Sequence, residues 1–258
     1  MADSVPHDAL PSVRMWELTS PEIEDRVAQG CWTAVVVAGA TEQHGPHLPT
    51  FTDSIQAFAI GERLAERIGG LLAPPITVGC SDHHLAFPGT ISLPDSVLEE
   101  ILTAYCDGLV RAGFRRIVVF STHGGNFPLL KEAAPRLRDR FAPAEIVVLC
   151  DIDAYCTAYT RSAAEQNLTV VRSPHADVAE TSILLALTPD LVRMDRAEAG
   201  FVDEVPFDQL LRAGLASVTP NGVLGDPAGA SAELGELCLA RTVDALESMV
   251  AFALDNRP

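Results

Sequence analysis

Residues 33–53 read TAVVVAGATEQHGPHLPTFTD. The first eight form an unbroken apolar run of strand length. Such a run suits a strand covered on both faces, as in a parallel sheet, rather than one with a solvated side. Directly behind it, Glu42, His44, His47 and Asp53 crowd among Gly45, Pro46 and Pro49. Charged groups gathered at the end of a buried strand need partners or a cation to offset their desolvation. The stretch therefore bears on fold and chemistry together.

Outward from it, three more apolar runs predict strands: LLAPPITVGC at 71–80, RRIVVFST at 115–122 and AEIVVLCD at 144–151. Helical patterns fill the intervals. TSPEIEDRVAQG (19–30) reads as a surface helix with Ser20 as its N-cap, and DSIQAFAIGERLAERIGG (53–70) follows the opening stretch. PDSVLEEILTAYCDGLVRAG (94–113) places Val97, Leu98, Ile101, Leu102, Tyr105 and Leu109 on one stripe. LLKEAAPRLRDR (129–140), HADVAETSILLAL (175–187) and SAELGELCLARTVDALESMVAFAL (231–254) predict the remaining helices. Alternating apolar strands and amphipathic helices predict an α/β three-layer sandwich. A mostly parallel central sheet is flanked by helices, in one domain over residues 1–258. Ligands of such folds bind beyond the carboxyl ends of the strands.

Composition narrows the partners. The chain has 258 residues, 48% hydrophobic, and a formal net charge of −17. Nucleic-acid phosphate and anionic membrane would both be repelled, so neither is expected as a partner. Cys31, Cys80, Cys106, Cys150, Cys156 and Cys238 form no CxxC pair and read as reduced thiols. The N-terminus MADSVPHDAL has neither a basic nor an apolar signal region. A cytoplasmic location is expected.

Six of the seven histidines fall in loops or at helix starts near predicted strand ends. Glu42 and His44, two apart, share a face of an extended segment. The glycine and prolines then turn the chain back, and Asp53 arrives as N-cap of the next helix. Carboxylates mixed with imidazoles suit Zn²⁺, Mn²⁺ or Fe²⁺, and Asp53 could bridge two ions. In STHGGN (121–126), His123 follows a strand, Gly124 and Gly125 let backbone approach a ligand, and Asn126 can cap a helix. In HADVAETS (175–182), Glu180 shares a face with His175 only if His175 lies at or before the helix start. Each cluster alone also has an ordinary reading as a capping acid, a packed histidine or a first-turn glutamate. Their convergence at one end of a sheet favours a site. No GxSxG elbow or P-loop spacing is present.

The stretches GATEQHGPHLPTFTD, GCSDHHLAFPGTISL, THGGN and HADVAETS, in this order between Gly39 and Ser182, resemble the creatininase family. The resemblance implies a dinuclear divalent-metal site, with zinc as first choice and manganese or iron as alternatives. It also implies a homo-oligomer, a hexamer built as a trimer of dimers. By position, Glu42, His44, Asp53, His123 and Glu180 correspond to metal ligands, with Asp53 bridging. His175 corresponds to a proton-handling catalytic residue, and Glu180 counts with it as catalytic. Gly124, Gly125 and Asn126 correspond to substrate-pocket positions, and His47 reads as a substrate contact or a structural histidine. The implied reaction is hydrolysis of an amide, formamide or lactam-like C–N bond, not a peptide bond, in a small molecule by metal-activated water. A keto-cyclitol hydrolase, a peptidase of cofactor maturation and a non-catalytic metal-stabilised binding protein are the alternatives. Creatinine is not expected as substrate. Creatininase itself carries an aromatic residue and a glutamate at the positions of Gly124 and Gly125. It closes its pocket with tryptophans in its second half, whereas the two here, Trp16 and Trp32, precede the motifs. The segment at 201–231 has the composition of either a substrate loop or an ordinary surface loop.

Overall fold

The computed structural model describes residues 12–171 and 174–255. Helix α1 (Ser20–Ala28) leads into strand β1 (Thr33–Ala38), followed by α2 (Thr52–Arg67) and the short strand β2 (Leu71–Leu72). Next come α3 (Asp95–Arg111), β3 (Arg116–Ser121), α4 (Phe127–Phe141) and β4 (Glu145–Val148). The second half is helical: α5 (Ile152–Glu165), α6 (Val178–Leu187), α7 (Phe207–Ala213) and α8 (Ala232–Asp255). The four strands pair in parallel in the order β2-β1-β3-β4.

Every residue of β1 is buried, as its unbroken apolar run predicts. Its side chains alternate between two cores. Ala34, Val36 and Ala38 pack with Ile117, Val119, Ile146 and Val148 against the layer of α3 and α4. Val35 and Val37 pack with Val118, Phe120 and Val147 against the layer of α2, α5, α6 and α8. These are the expected three layers.

Local expectations shift in several places. Thr19, not Ser20, caps α1, through a capping box with Glu22. The second strand shrinks to Leu71–Leu72 because Pro74 and Pro75 interrupt it, and Ile76 makes only an isolated bridge to Ala38. On α3 the inward residues are Leu98, Leu102, Cys106 and Leu109, while Val97 is exposed. Asp53 is not the N-cap of α2. Phe51 holds that position and Asp53 sits in the first turn. The helix expected from His175 begins only at Val178. Helix α5 has no counterpart among the predicted elements. All six cysteines are free thiols, three buried and three half-buried. No helix among the described residues is long and apolar enough to cross a membrane.

Candidate metal centre

Chain order reverses direction across the sheet between the adjacent strands β1 and β3. The crevice beyond their carboxyl ends is the natural ligand position in such a sheet. The motif residues converge there. Glu42 and His44 leave the end of β1, and Asp53 looks out from the first turn of α2. His123 follows β3, and Glu180 reaches in from the first turn of α6. All five are buried.

Asp53 stands between two groups. Its Oδ1 lies 3.3 Å from His44 Nε2, and its Oδ2 lies 3.3 Å from His123 Nδ1. Glu180 Oε2 is 3.8 Å from His44 Nε2, and Glu42 Oε1 is 3.3 Å from His123 Nδ1. Among the described residues the ligand atoms gather into Glu42/Asp53/His123, His44/Asp53/Glu180 and Glu42/His44/His175.

The donor set fits two cations. Glu42 Oε2, His44 Nε2 and Asp53 Oδ2 are buried without a hydrogen-bond partner among the described residues, which is costly unless another group occupies the space between them. The other nitrogen of each expected ligand histidine is held by backbone. His44 Nδ1 lies 3.1 Å from the carbonyl of Glu42, and His123 Nε2 lies 3.1 Å from that of Cys80. Donating outward leaves a lone pair pointing inward, as in metal-ligating histidines.

The electrostatics also call for positive charge. Burial disfavours the His44 imidazolium, yet Asp53, Glu180 and Glu42 outweigh burial and raise its pKa to about 10. Burial opposes charge on His123 too, and Glu42 and Asp53 overcome it, holding the pKa well above the ordinary value. On Glu180 burial wins over His44 and raises the pKa. Three buried carboxylates thus draw either protons or cations to this one place.

The turn before α6 explains how Glu180 enters the site. His175 precedes the helix and is bridged to Leu224 by two backbone hydrogen bonds. Ala176 takes φ 54°, and its N–H donates to Glu180 Oε2 at 2.6 Å. Asp177 caps the helix by accepting from the N–H groups of Ala179 and Glu180. Burial and the neighbouring Glu180 raise the Asp177 pKa to about 8.

The remaining expected residues divide. His175 faces the cluster, with Nδ1 3.7 Å from Glu42 Oε1. Gly124 and Gly125 line the adjoining cavity. At Gly125 a Cβ would stand 2.3 Å from the Cys80 carbonyl and 2.4 Å from His123 Nε2, so a side chain there would push the histidine aside. Asn126 is wholly buried outside the cavity lining. Its Oδ1 accepts from the Cys80 N–H, and its amide donates to the Gly39 carbonyl and Ser121 Oγ. It caps nothing with its side chain and instead ties β3 to the loops beside it. His47 is likewise buried outside the lining, with Nε2 2.9 Å from Thr181 Oγ1.

The cavity measures about 380 Å³ and opens from the cluster past Phe127, Ile152, Tyr155, Tyr159, Leu210 and Leu215. Helix α5 supplies three of these. Part of the 201–231 segment folds over the cavity: Val205, Leu210, Leu215 and Leu224 form a small apolar core of their own, and three of them line the opening. His83 and His84, on the turn Asp82–His84, line it as well. No spacing in the sequence marks a role for either, or for Gln43.

The creatinine amidohydrolase (creatininase) family model matches residues 16–250. A mycofactocin precursor peptide peptidase of Mycobacterium ulcerans (strain Agy99) is 37% identical over 235 residues, covering 85% of each chain. The creatinine amidohydrolase of Pseudomonas putida is 32% identical over 250 residues, 93% of this chain and 96% of the other. A creatininase variant solved in a Zn–Zn form superposes with a TM-score of 0.81 at 32% identity, covering 96% of this chain and 100% of the other. With the sheet, the order of the motifs and the buried acid–imidazole cluster in agreement, the chain belongs to the creatininase family and is a hydrolase of it.

Proposed function

We propose that the protein is a metal-dependent amidohydrolase that breaks an amide C–N bond in a small substrate with a largely apolar body. The place of Asp53 carries this reading: it belongs to both the Glu42/His123 and the His44/Glu180 groups, with one oxygen toward His44 and the other toward His123. Two divalent cations held there, zinc in the first place, would supply a nucleophilic hydroxide at neutral pH and polarise the scissile carbonyl. The side chains do the rest. Glu42, His44, Asp53, His123 and Glu180 hold the charge, and His175 accepts and returns a proton at Nδ1 beside the cluster. Phe127, Tyr155 and the 201–224 segment exclude water from the apolar part of the substrate. The acidic surface and the absence of a spanning helix among the described residues accord with a cytoplasmic enzyme, and family membership with a homo-oligomer.

A second reading places the bond near the end of a short peptide. The 37% identical relative named for a precursor peptide supports it, and so does a cavity of about 380 Å³ with an apolar mouth. Zinc- or manganese-loaded protein assayed against N-formyl amines, lactams, N-acyl aromatic amides, short peptides and keto-cyclitols separates the readings. Turnover confined to keto-cyclitols, or absent throughout, would refute amide hydrolysis. His44→Ala should lose bound metal and turnover together, and full metal stoichiometry in that variant would remove His44 from the ligand set.

A further inference from the structure

Four imidazoles turn a nitrogen toward the carboxylate cluster, and three are anchored alike. The outward nitrogens of His44, His123 and His175 lie 3.1, 3.1 and 2.8 Å from the backbone carbonyls of Glu42, Cys80 and Gln43. A carbonyl only accepts, so a ring that donates to one keeps a lone pair inward, and for His175 the Gln43 side-chain amide is a second neighbour of the same nitrogen. His84 is anchored the other way. Its outward nitrogen, Nδ1, lies 3.1 Å from Gln43 Nε2.

The orientation of the Gln43 amide is settled by its own neighbours. Its Oε1 accepts from the Gly45 N–H at 2.9 Å, and its Nε2 donates to the Gly222 carbonyl at 3.0 Å. A flipped amide would set N–H against N–H and oxygen against oxygen. Nε2 also lies 2.9 Å from His175 Nε2, so two hydrogens face three neighbours. If His175 donates to the Gln43 carbonyl, the hydrogens go to Gly222 and His84, and every group is paired. If Gln43 instead donates to His175, a hydrogen on His84 Nδ1 would still face an amide nitrogen, which cannot accept. In both arrangements His84 Nδ1 carries the lone pair and Nε2 carries the hydrogen.

That hydrogen points inward. His84 Nε2 is 3.5 Å from Glu42 Oε1, beyond good hydrogen-bond length, and the ring lines the cavity. A neutral imidazole with an inward N–H cannot ligate a cation, but it can donate to a bound molecule. Resting on the amide-hydrolase reading, we propose that His84 is a further catalytic residue. It donates a hydrogen bond from Nε2–H to the scissile carbonyl oxygen as negative charge develops there, and Gln43 is the positioning residue that sets its tautomer. The hydrogen stays on His84, and the proton that moves is the one handled by His175. One ring accepts and the other donates, with centroids 4.7 Å apart.

The test has a spectroscopic and a kinetic arm. In ¹⁵N-histidine-labelled, zinc-loaded protein, with the His84 signals assigned by their loss in His84→Gln, His84 should show a protonated Nε2 and a bare Nδ1. Gln43→Glu places a carboxylate oxygen where the amide donor stood and should shift the hydrogen to Nδ1, with zinc content unchanged. His84→Leu should lower kcat about 10²-fold, as loss of an oxyanion donor does, with KM changed less than about threefold. His84→Gln, which keeps an N–H at the same reach, should recover a large part. A hydrogen on Nδ1 in the wild-type protein, or full turnover by His84→Leu, overturns the inference. Failure of the wild-type protein on every amide, with Nε2–H still observed, would instead overturn the amide reading, and the catalytic role of His84 with it.

Discussion

At the scale of single residues, neighbours decide what a histidine does. His44 and His47 are three apart, yet one faces the carboxylates and the other is sealed behind them against Thr181. Burial, with some help from His44, lowers the His47 pKa to about 4. Its ordinary value is 6.5. Between those limits the unfolded chain binds a proton that the folded one refuses, so stability rises with pH through that window and falls on acidification. The gap corresponds to on the order of 3 kcal/mol. His47→Gln, which keeps an amide beside Thr181, should lose less stability than the parent between pH 6.5 and 4 in urea unfolding. Equal losses would mean that His47 titrates normally. No spacing in the sequence separates these two histidines, and Gln43 is just as opaque, because its partners His84, His175 and Gly222 lie 41, 132 and 179 residues away.

At the scale of elements, apolar runs revealed the four strands because both faces of the sheet are covered, but the second stops at Leu72, before the two prolines expected to open it. Helix α5 escaped notice. Its inward residues, Tyr155, Ala158, Tyr159, Ser162 and Ala163, are too small or too polar to make an apolar stripe, since part of that face borders the cavity. Helix α6 packs along α8 and approaches it most tightly at Gly235. A Cβ on Gly235 would stand 2.0 Å from the Ser182 carbonyl, and the Ser231 N–H donates to Ser182 Oγ at 3.0 Å. Gly235→Ala should force the two helices apart and cost about 1–3 kcal/mol. Because α6 carries Glu180, zinc affinity should fall as well, read by thermal unfolding with chelator and by zinc titration. A variant with unchanged affinity would uncouple this contact from the centre.

At the scale of the whole molecule, the centre gathers like charges that the fold must hold together. Glu42, Asp53 and Glu180 repel one another in a buried space, so cations bound there should stabilise the native state alone. Metal at 100 times its dissociation constant adds about 2.7 kcal/mol per site. For a chain of this size that amounts to roughly 5–10 °C in Tm. Chelation should therefore lower Tm by at least that amount, and added zinc should restore it. A Tm indifferent to chelator would argue against the centre. The gathering of acids and imidazoles in one buried place was readable from the EQH, HGGN and ETS stretches, because residue type and strand-end position are local properties. The cavity was not, because its wall comes from α5 and from a segment whose composition equally suits an ordinary loop.

The docking of α8 onto α6 also bears on how the cluster is completed. Glu180 stands on a helix held by the contact of Ser182 with Ser231, 49 residues further along, and with Gly235. Glu42, His44, Asp53 and His123 come from the strand ends and from α2, so the fifth buried group of the cluster depends on the packing of two helices far apart in the chain.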